Sequence, residues 1–264
     1  MTSGIDVSQW QGVIDWAKVK ASGVQFALIR AGYGDTLSYP SQIDTQYERN
    51  YAELKAKGVP VGVYFYSYAL NAEQAKREAQ SCLALLKGKK FEYPIYYDVE
   101  EYSIFKSGKT GEICKAFISE LEAAGYWVGI YTYRLAMGYF PPEIKDKKAM
   151  AIAEYGDKLN YNGQYGVWQN SSTWHVDGIS GNVDHDYCYV DYPTMIKEKG
   201  KNGFPAPAPK LMYKVTKDTP IVQFEGEAKA GQIRQVYGRK TVDGVQYGRV
   251  TANGWIDLRN AKQV

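Results

Sequence analysis

The chain has 264 residues, 45% hydrophobic and 23% charged, with a net charge of +3. This is ordinary globular composition, and it excludes wholesale disorder, collagen and a long coiled coil. No apolar run approaches the ~20 residues of a membrane span, and the opening MTSGIDVSQW has no basic segment followed by an apolar stretch, so neither membrane insertion nor a secretory signal peptide is expected.

Short apolar runs alternate with helical patterns over the first 200 residues. Residues 4–8 read as a first strand, 14–22 as a helix and 26–31 (FALIRA) as a second strand. A helix over 41–57 is closed by Gly58, and 61–68 form a third strand. Asn71 is placed to cap a helix running to residue 86. The fourth strand spans 93–100, a helix spans 110–124 before Gly125, and the fifth strand spans 127–132. Long helical patterns then stop, and 149–154, 165–169 and 183–190 read as three more strands.

Strand–helix alternation with right-handed crossovers gives a parallel sheet. Eight strands in about 200 residues suggest closure into an α/β barrel, trimmed relative to the usual ~250 residues. Pro205-Ala206-Pro207-Ala208-Pro209 reads as an extended spacer, so the barrel is assigned to 1–200, a linker to 201–210 and a second domain to 211–264. That last stretch has short Gly-punctuated strands, the pattern of a small all-β module. Charge divides at the same place. Residues 1–200 carry 21 Lys and Arg against 24 Asp and Glu, whereas 201–264 carry 11 against 5. A basic tail of this kind suits an anionic polymer. Its Lys and Arg are not interleaved with aromatics, so nucleic acid is not expected as the partner. Cys82, Cys114 and Cys188 lie far apart and read as reduced, buried thiols.

Barrel chemistry sits at strand ends. Asp6 ends the first strand, Asp98-Val99-Glu100 ends the fourth, and the eighth carries Asp184 and Asp186. Residues two apart on a strand share a face, and closure sets strand eight beside strand one. Several carboxylates should therefore meet at one mouth. Converging carboxylates raise one another's pKa, so one can hold a proton while another stays ionised. Glycoside hydrolysis needs that pairing. Trp10, Tyr64, Tyr66, Tyr131, Trp168 and Gln169 fall near the same ends, and 24 Tyr against 8 Phe favour rings with a wet edge. Such rings stack on sugars while hydroxyl and amide groups bond to their edges.

Gly4-Ile5-Asp6-Val7-Ser8-Gln9-Trp10-Gln11-Gly12 with Ile14-Asp15-Trp16 resembles the opening of glycoside hydrolase family 25, the Chalaropsis-type lysozymes. Residues 62–69 with Ala72-Glu73-Gln74-Ala75, then Tyr97-Asp98-Val99-Glu100, Val167-Trp168-Gln169 and 178–186 continue the likeness over roughly 3–195. The resemblance implies a (β/α)5(β)3 barrel, a TIM-like fold. It also implies cleavage of the β-1,4 bond between N-acetylmuramic acid and N-acetylglucosamine in bacterial peptidoglycan, without a cofactor or metal. Glu100 would donate the proton, with Asp98, Asp6 and Asp184 completing the acidic set. His185-Asp186 departs from the family's usual neutral residue followed by Asn. Tyr247-Gly248-Arg249-Val250 and Gly254-Trp255-Ile256-Asp257-Leu258 resemble bacterial Src-homology-3-like wall-binding modules, although the usual Arg-x-Gly-Pro stretch is absent. The combination resembles a phage endolysin, made in the host cytoplasm and acting on the wall after release. Two other readings stand beside it. One is a metal-dependent polysaccharide deacetylase using the acids with His185. The other is a non-catalytic wall-binding protein.

Overall fold

The computed structural model describes residues 1–146, 149–206, 211–215, 219–220, 227–228, 232–242, 244–250 and 255–263. Eight strands close a barrel in chain order: β1 (Thr2–Val7), β2 (Phe26–Tyr33), β3 (Val61–Tyr66), β4 (Ile95–Asp98), β5 (Val128–Tyr133), β6 (Ala149–Ala153), β7 (Val167–Trp174) and β8 (Val183–Cys188). β1 to β7 run parallel. β8 runs antiparallel to both β7 and β1, which corrects the expectation of an all-parallel sheet. Only the short segment 175–182 joins β7 to β8, too short for a parallel crossover, so the chain turns back directly and reverses direction.

Helices α1 (Trp16–Ala21), α2 (Tyr47–Lys57), α3 (Ala72–Leu86), α4 (Tyr102–Lys106), α5 (Thr110–Ala123) and α6 (Pro142–Lys145) lie between the earlier strands, and α7 (Tyr192–Glu198) follows the barrel. Asn71 caps α3 as expected, accepting from the Gln74 amide at 2.9 Å. The helix expected over 41–57 starts later, at Tyr47. Ile43 instead bridges to Gly32, and Asp44 is drawn into hydrogen bonds with Gln9 and Arg30. Tertiary contacts thus override the local helical pattern.

Period-two alternation sorts the strand residues into two cores. Ile5, Ile29, Val63, Phe65, Ile95, Tyr97 and Ile130 face the helices. Phe26, Leu28, Tyr96, Ala151 and Val167 form a second cluster, which Tyr192 and Ile196 of α7 join. A Cβ on Gly4 would collide with the Phe26 ring, and one on Gly129 with Tyr96, so both glycines make room for these large rings. The three cysteines are buried and free, as read from the sequence.

The chain separates into two compact units, 1–207 and 208–264. Residues 201–206 belong to the first rather than to a linker, because Asn202 is fully buried in it. Its Oδ1 accepts from the Trp127 amide at 2.6 Å and its Nδ2 donates to the Tyr93 carbonyl at 2.8 Å. Among the described residues the second unit has two three-stranded antiparallel sheets, one from Leu211–Val215, Ile233–Val236 and Ala261–Gln263, the other from Gly238–Val242, Val245–Arg249 and Trp255–Asp257, and a two-stranded pair of Thr219–Pro220 with Glu227–Ala228. Ile256 is its buried centre, with Val250, Leu258 and Ala261 packed on it. Residues 207–210 of the expected linker, and Gly254, lie outside the described residues.

Replacing Asn202 by Ala removes the partner of the part-buried Trp127 amide and of the buried Tyr93 carbonyl. Each costs about 1–3 kcal/mol, so Asn202→Ala should lower the urea midpoint by a loss of about 3 kcal/mol, and truncation after residue 200 should do the same while truncation after 206 should not.

Candidate active site

The mouth of the barrel holds a cavity of about 270 Å³. Asp6, Asp98, Glu100, Asp184 and Asp186 all line it, together with Trp10, Tyr64, Tyr66, Tyr131 and Gln169. β8 supplies its acids from its N-terminal end, because its reversed direction puts that end at the mouth. Asp184 stands directly opposite Asp6 in the β1–β8 ladder, and Asp186 opposite Gly4. Glu100 lies two residues past the end of β4, since the ladder finishes at Asp98 and Val99 donates to the Tyr131 carbonyl. It still reaches the cavity.

Trp168 is the one expected site residue that the structure does not bring there. It alternates with Gln169, so it points to the opposite face of β7, where it is 6% exposed and its indole donates to the Glu154 carbonyl at 2.8 Å. His185 likewise alternates with Asp184 and Asp186. Its two ring nitrogens are engaged by Ser3 Oγ at 2.7 Å and Asn170 Oδ1 at 2.6 Å. The deacetylase reading thereby loses its nitrogen ligand, and among the described residues no three His, Cys, Asp or Glu side chains are arranged to hold a metal ion.

A hydrogen-bonded chain orients the acids. Tyr131 donates to Gln169 Oε1 at 2.9 Å, and Gln169 Nε2 donates to Asp6 Oδ2 at 2.7 Å. Tyr66 donates to Glu101 at 2.8 Å. Burial pushes Asp6 well above the usual carboxylate range, and Asp186 and Asp184 add to it. Asp186 is pushed to about 8 by burial and then by Asp184. Asp98 is raised by burial and then by Glu100, and Glu100 is pushed to about 7 by burial, Asp184 and Glu101. The hydrogen bond between Asp98 and Glu100 raises Asp98 further and holds Glu100 lower than burial alone would. Asp98 Oδ1 and Asp186 Oδ2 are buried without a hydrogen-bond partner among the described residues.

Sequence reasoning missed Arg30, Tyr96 and Tyr155, which also line the cavity. The signal for Arg30 was present, since it breaks an otherwise apolar strand.

The profile of glycosyl hydrolases family 25 matches residues 5–179. The chain belongs to this family. It is 31% identical over 185 residues to the autolytic lysozyme of Clostridium acetobutylicum, covering 69% of this chain and 54% of that protein. It therefore spans about half the length of this curated relative. The modular autolysin LytC of Streptococcus pneumoniae superposes with a TM-score of 0.61 at 30% identity, covering 70% of this chain and 46% of that one. The catalytic domain of endolysin ply40 from a Listeria monocytogenes phage shares the fold, with a TM-score of 0.63 at 24% identity over 74% of this chain and 97% of that one.

Groups whose pKa is raised by folding stabilise the protein below their unfolded value, and that stability is lost as pH rises through the folded value. For Asp186 the window runs from about 4 to about 8. The barrel of this family 25 protein should therefore melt at a higher temperature at pH 5 than at pH 8, and Asp186→Asn should raise the pH 8 value by several degrees in calorimetry.

Proposed function

We propose that the chain is a lysozyme that hydrolyses the β-1,4 bond between N-acetylmuramic acid and N-acetylglucosamine in bacterial peptidoglycan. The observation that carries this reading is the meeting of Asp98 and Glu100 at an open mouth, faced by three further carboxylates. Glu100 is the less buried of the two and gives its proton to the glycosidic oxygen. The C1–O bond breaks and N-acetylglucosamine leaves with its O4 hydroxyl. Positive charge grows at C1 of N-acetylmuramic acid. The Asp98 anion steadies it, directly or by positioning the substrate's 2-acetamido group. Water then attacks C1, and the Glu100 carboxylate takes its proton. Asp6 and Asp184 keep the cavity anionic, and Asp186 acts with them on substrate. Trp10, Tyr64, Tyr66 and Tyr131 offer rings and hydroxyls to the sugars.

Family membership and the autolysin and lysozyme relatives support the substrate class. The net positive charge of the second unit supports a role in holding an anionic wall polymer, as a Src-homology-3-like module would. On this reading the enzyme works at the bacterial wall after release from the cell that makes it.

Glu100→Gln keeps shape but removes the donor proton, and loss of a general acid costs ~10²–10⁴ in rate. Turbidity clearing of purified walls should fall by that factor with circular dichroism unchanged, and wild-type digests should carry new reducing ends on N-acetylmuramic acid. The basic limb of the wild-type pH profile should lie near 7. A chain ending at residue 206 should keep activity on soluble wall fragments but bind whole walls less well, and binding of the full chain should weaken as salt rises.

A further inference from the structure

In the second unit, register sorts the residues of the Gly238–Val242, Val245–Arg249 and Trp255–Asp257 sheet onto two faces. Gly248 stands opposite Ile256, which is fully buried. A Cβ on Gly248 would press against Val236 and Leu258, so this row faces the core of the unit. The rows on either side of it face outward. One aligns Lys240, Tyr247 and Asp257 across the three strands, and the other aligns Gly238, Arg249 and Trp255. The outer face therefore displays Lys240, Tyr247, Arg249, Trp255 and Asp257, all partly exposed. Basic and aromatic residues that lie apart in the sequence are interleaved once the strands pair.

The Lys240 ammonium lies over the Trp255 ring, 4.4 Å from its centroid. To reach that ring from the first strand of the sheet, the side chain crosses the middle strand, where Arg249 is the direct neighbour of Trp255. Two cations are thus brought to one ring, and like charges at neighbouring sheet positions oppose folding. Asp257 is the one acid on this face among the described residues, and it is already spent on Arg259. The Arg259 guanidinium donates to Asp257 Oδ2 through Nη2 at 2.6 Å and through Nε at 3.1 Å, and the Arg259 amide donates to Oδ1 at 2.9 Å. Lys240 and Arg249 are left as a pair of cations that an external anion would complete.

We propose that this face grips a phosphodiester-linked polymer of the bacterial wall, with Lys240 and Arg249 bonding its phosphates. The proposal rests on the reading of the second unit as a wall-holding module and is independent of the roles given to Asp98 and Glu100. Trp255 fixes an ammonium that would otherwise swing on its long stem, so less freedom is lost when the anion binds. Arg249 adds a planar fork that suits two phosphate oxygens at once. A chain with one charge per link can meet both cations together. A peptide suits the face less well, because extended peptides add to a sheet edge through main-chain hydrogen bonds, whereas a sheet face offers side chains only. Single-stranded nucleic acid needs open rings for its bases to stack on, and Lys240 covers one side of Trp255.

The test titrates the full chain with soluble poly(glycerol phosphate) in a calorimeter and checks each variant by circular dichroism. Lys240→Gln and Arg249→Gln should each weaken binding about tenfold, as expected for loss of a hydrogen bond to a charged group. Lys262→Gln removes the same charge from the other sheet and should stay within about twofold of wild type. Trp255→Leu leaves every charge in place but frees Lys240, and it should also weaken binding. If that variant fails to fold, the three charge variants still decide. Folded Lys240→Gln and Arg249→Gln chains that bind like wild type overturn the proposal. So does an equal loss in Lys262→Gln, which would mean that net charge alone holds the polymer. In cosedimentation, walls stripped of phosphodiester-linked polymers by hydrofluoric acid should retain less of the full chain than untreated walls, and equal retention overturns the proposal. Tighter binding of oligodeoxythymidylate or of polyglutamate than of poly(glycerol phosphate) also overturns it, in favour of nucleic acid or acidic peptide. A chain that binds neither walls nor polymer overturns the wall-holding reading along with the proposal, whereas one that binds walls without using this face overturns the proposal alone.

Discussion

The seam where β8 meets β1 governs this protein. Those two strands pair antiparallel with Asp184 opposite Asp6, so closing the barrel forces acids together at its mouth. Like charges in a half-buried site are costly. Burial and mutual repulsion accordingly raise Asp6, Asp98, Glu100 and Asp186 above the usual carboxylate range. One amide, Gln169, is aimed at Asp6. The resulting cluster opposes folding at neutral pH and provides groups that titrate near neutrality. Such an arrangement is retained where function needs it.

The same reversal leaves the outer face of the last strands without helices, and side chains take their place. Trp168 packs on Tyr187 with ring centroids 5.8 Å apart, and Trp174 on His185 at 4.2 Å. His185 also meets Tyr187 at 4.7 Å. Trp168 looked like a sugar-stacking ring in the sequence, and His185 like a metal ligand because it stands between two acids. The two-residue period of a strand assigns them to the opposite side. Their work is to shield a sheet that no helix covers.

The opposite half of the barrel is conventional, and there the catalytic candidates rest on layered support. Behind Asp98, Tyr97 stacks on Phe117 at 3.8 Å and donates to the buried Glu78 at 2.6 Å. Ser67 donates to Glu78 as well, and the Tyr68 amide does so at 2.8 Å. A single buried acid therefore ties α3 to the ends of β3 and β4. In front, Asp44 does the corresponding task for β1, β2 and α2. The two struts flank the cavity and fix the strand ends that carry Tyr66, Asp98 and Arg30.

Much of this was legible in the residues alone. Apolar runs separated by capped helices announced an α/β barrel, and Asn71 and Gly58 marked helix ends through local chemistry that needs no tertiary partner. Asp6, Asp98, Glu100, Asp184 and Asp186 were recognisable because acids at the ends of apolar strands are expensive unless used. The Pro-Ala run and the charge change announced a second unit. Other features depended on distant contacts. The direction of β8 is set by its antiparallel pairing with both β7 and β1, the latter distant in sequence, which no local pattern encodes. The later start of α2 follows from Asp44 being claimed by Gln9 and Arg30. Trp168 and Gln169 are neighbours with opposite fates, decided by which face of β7 turns inward once the barrel closes. Arg30 sits within an apolar strand and becomes meaningful when closure makes it the lone cation among five acids. Local sequence chose the parts, and long-range pairing chose which of them meet.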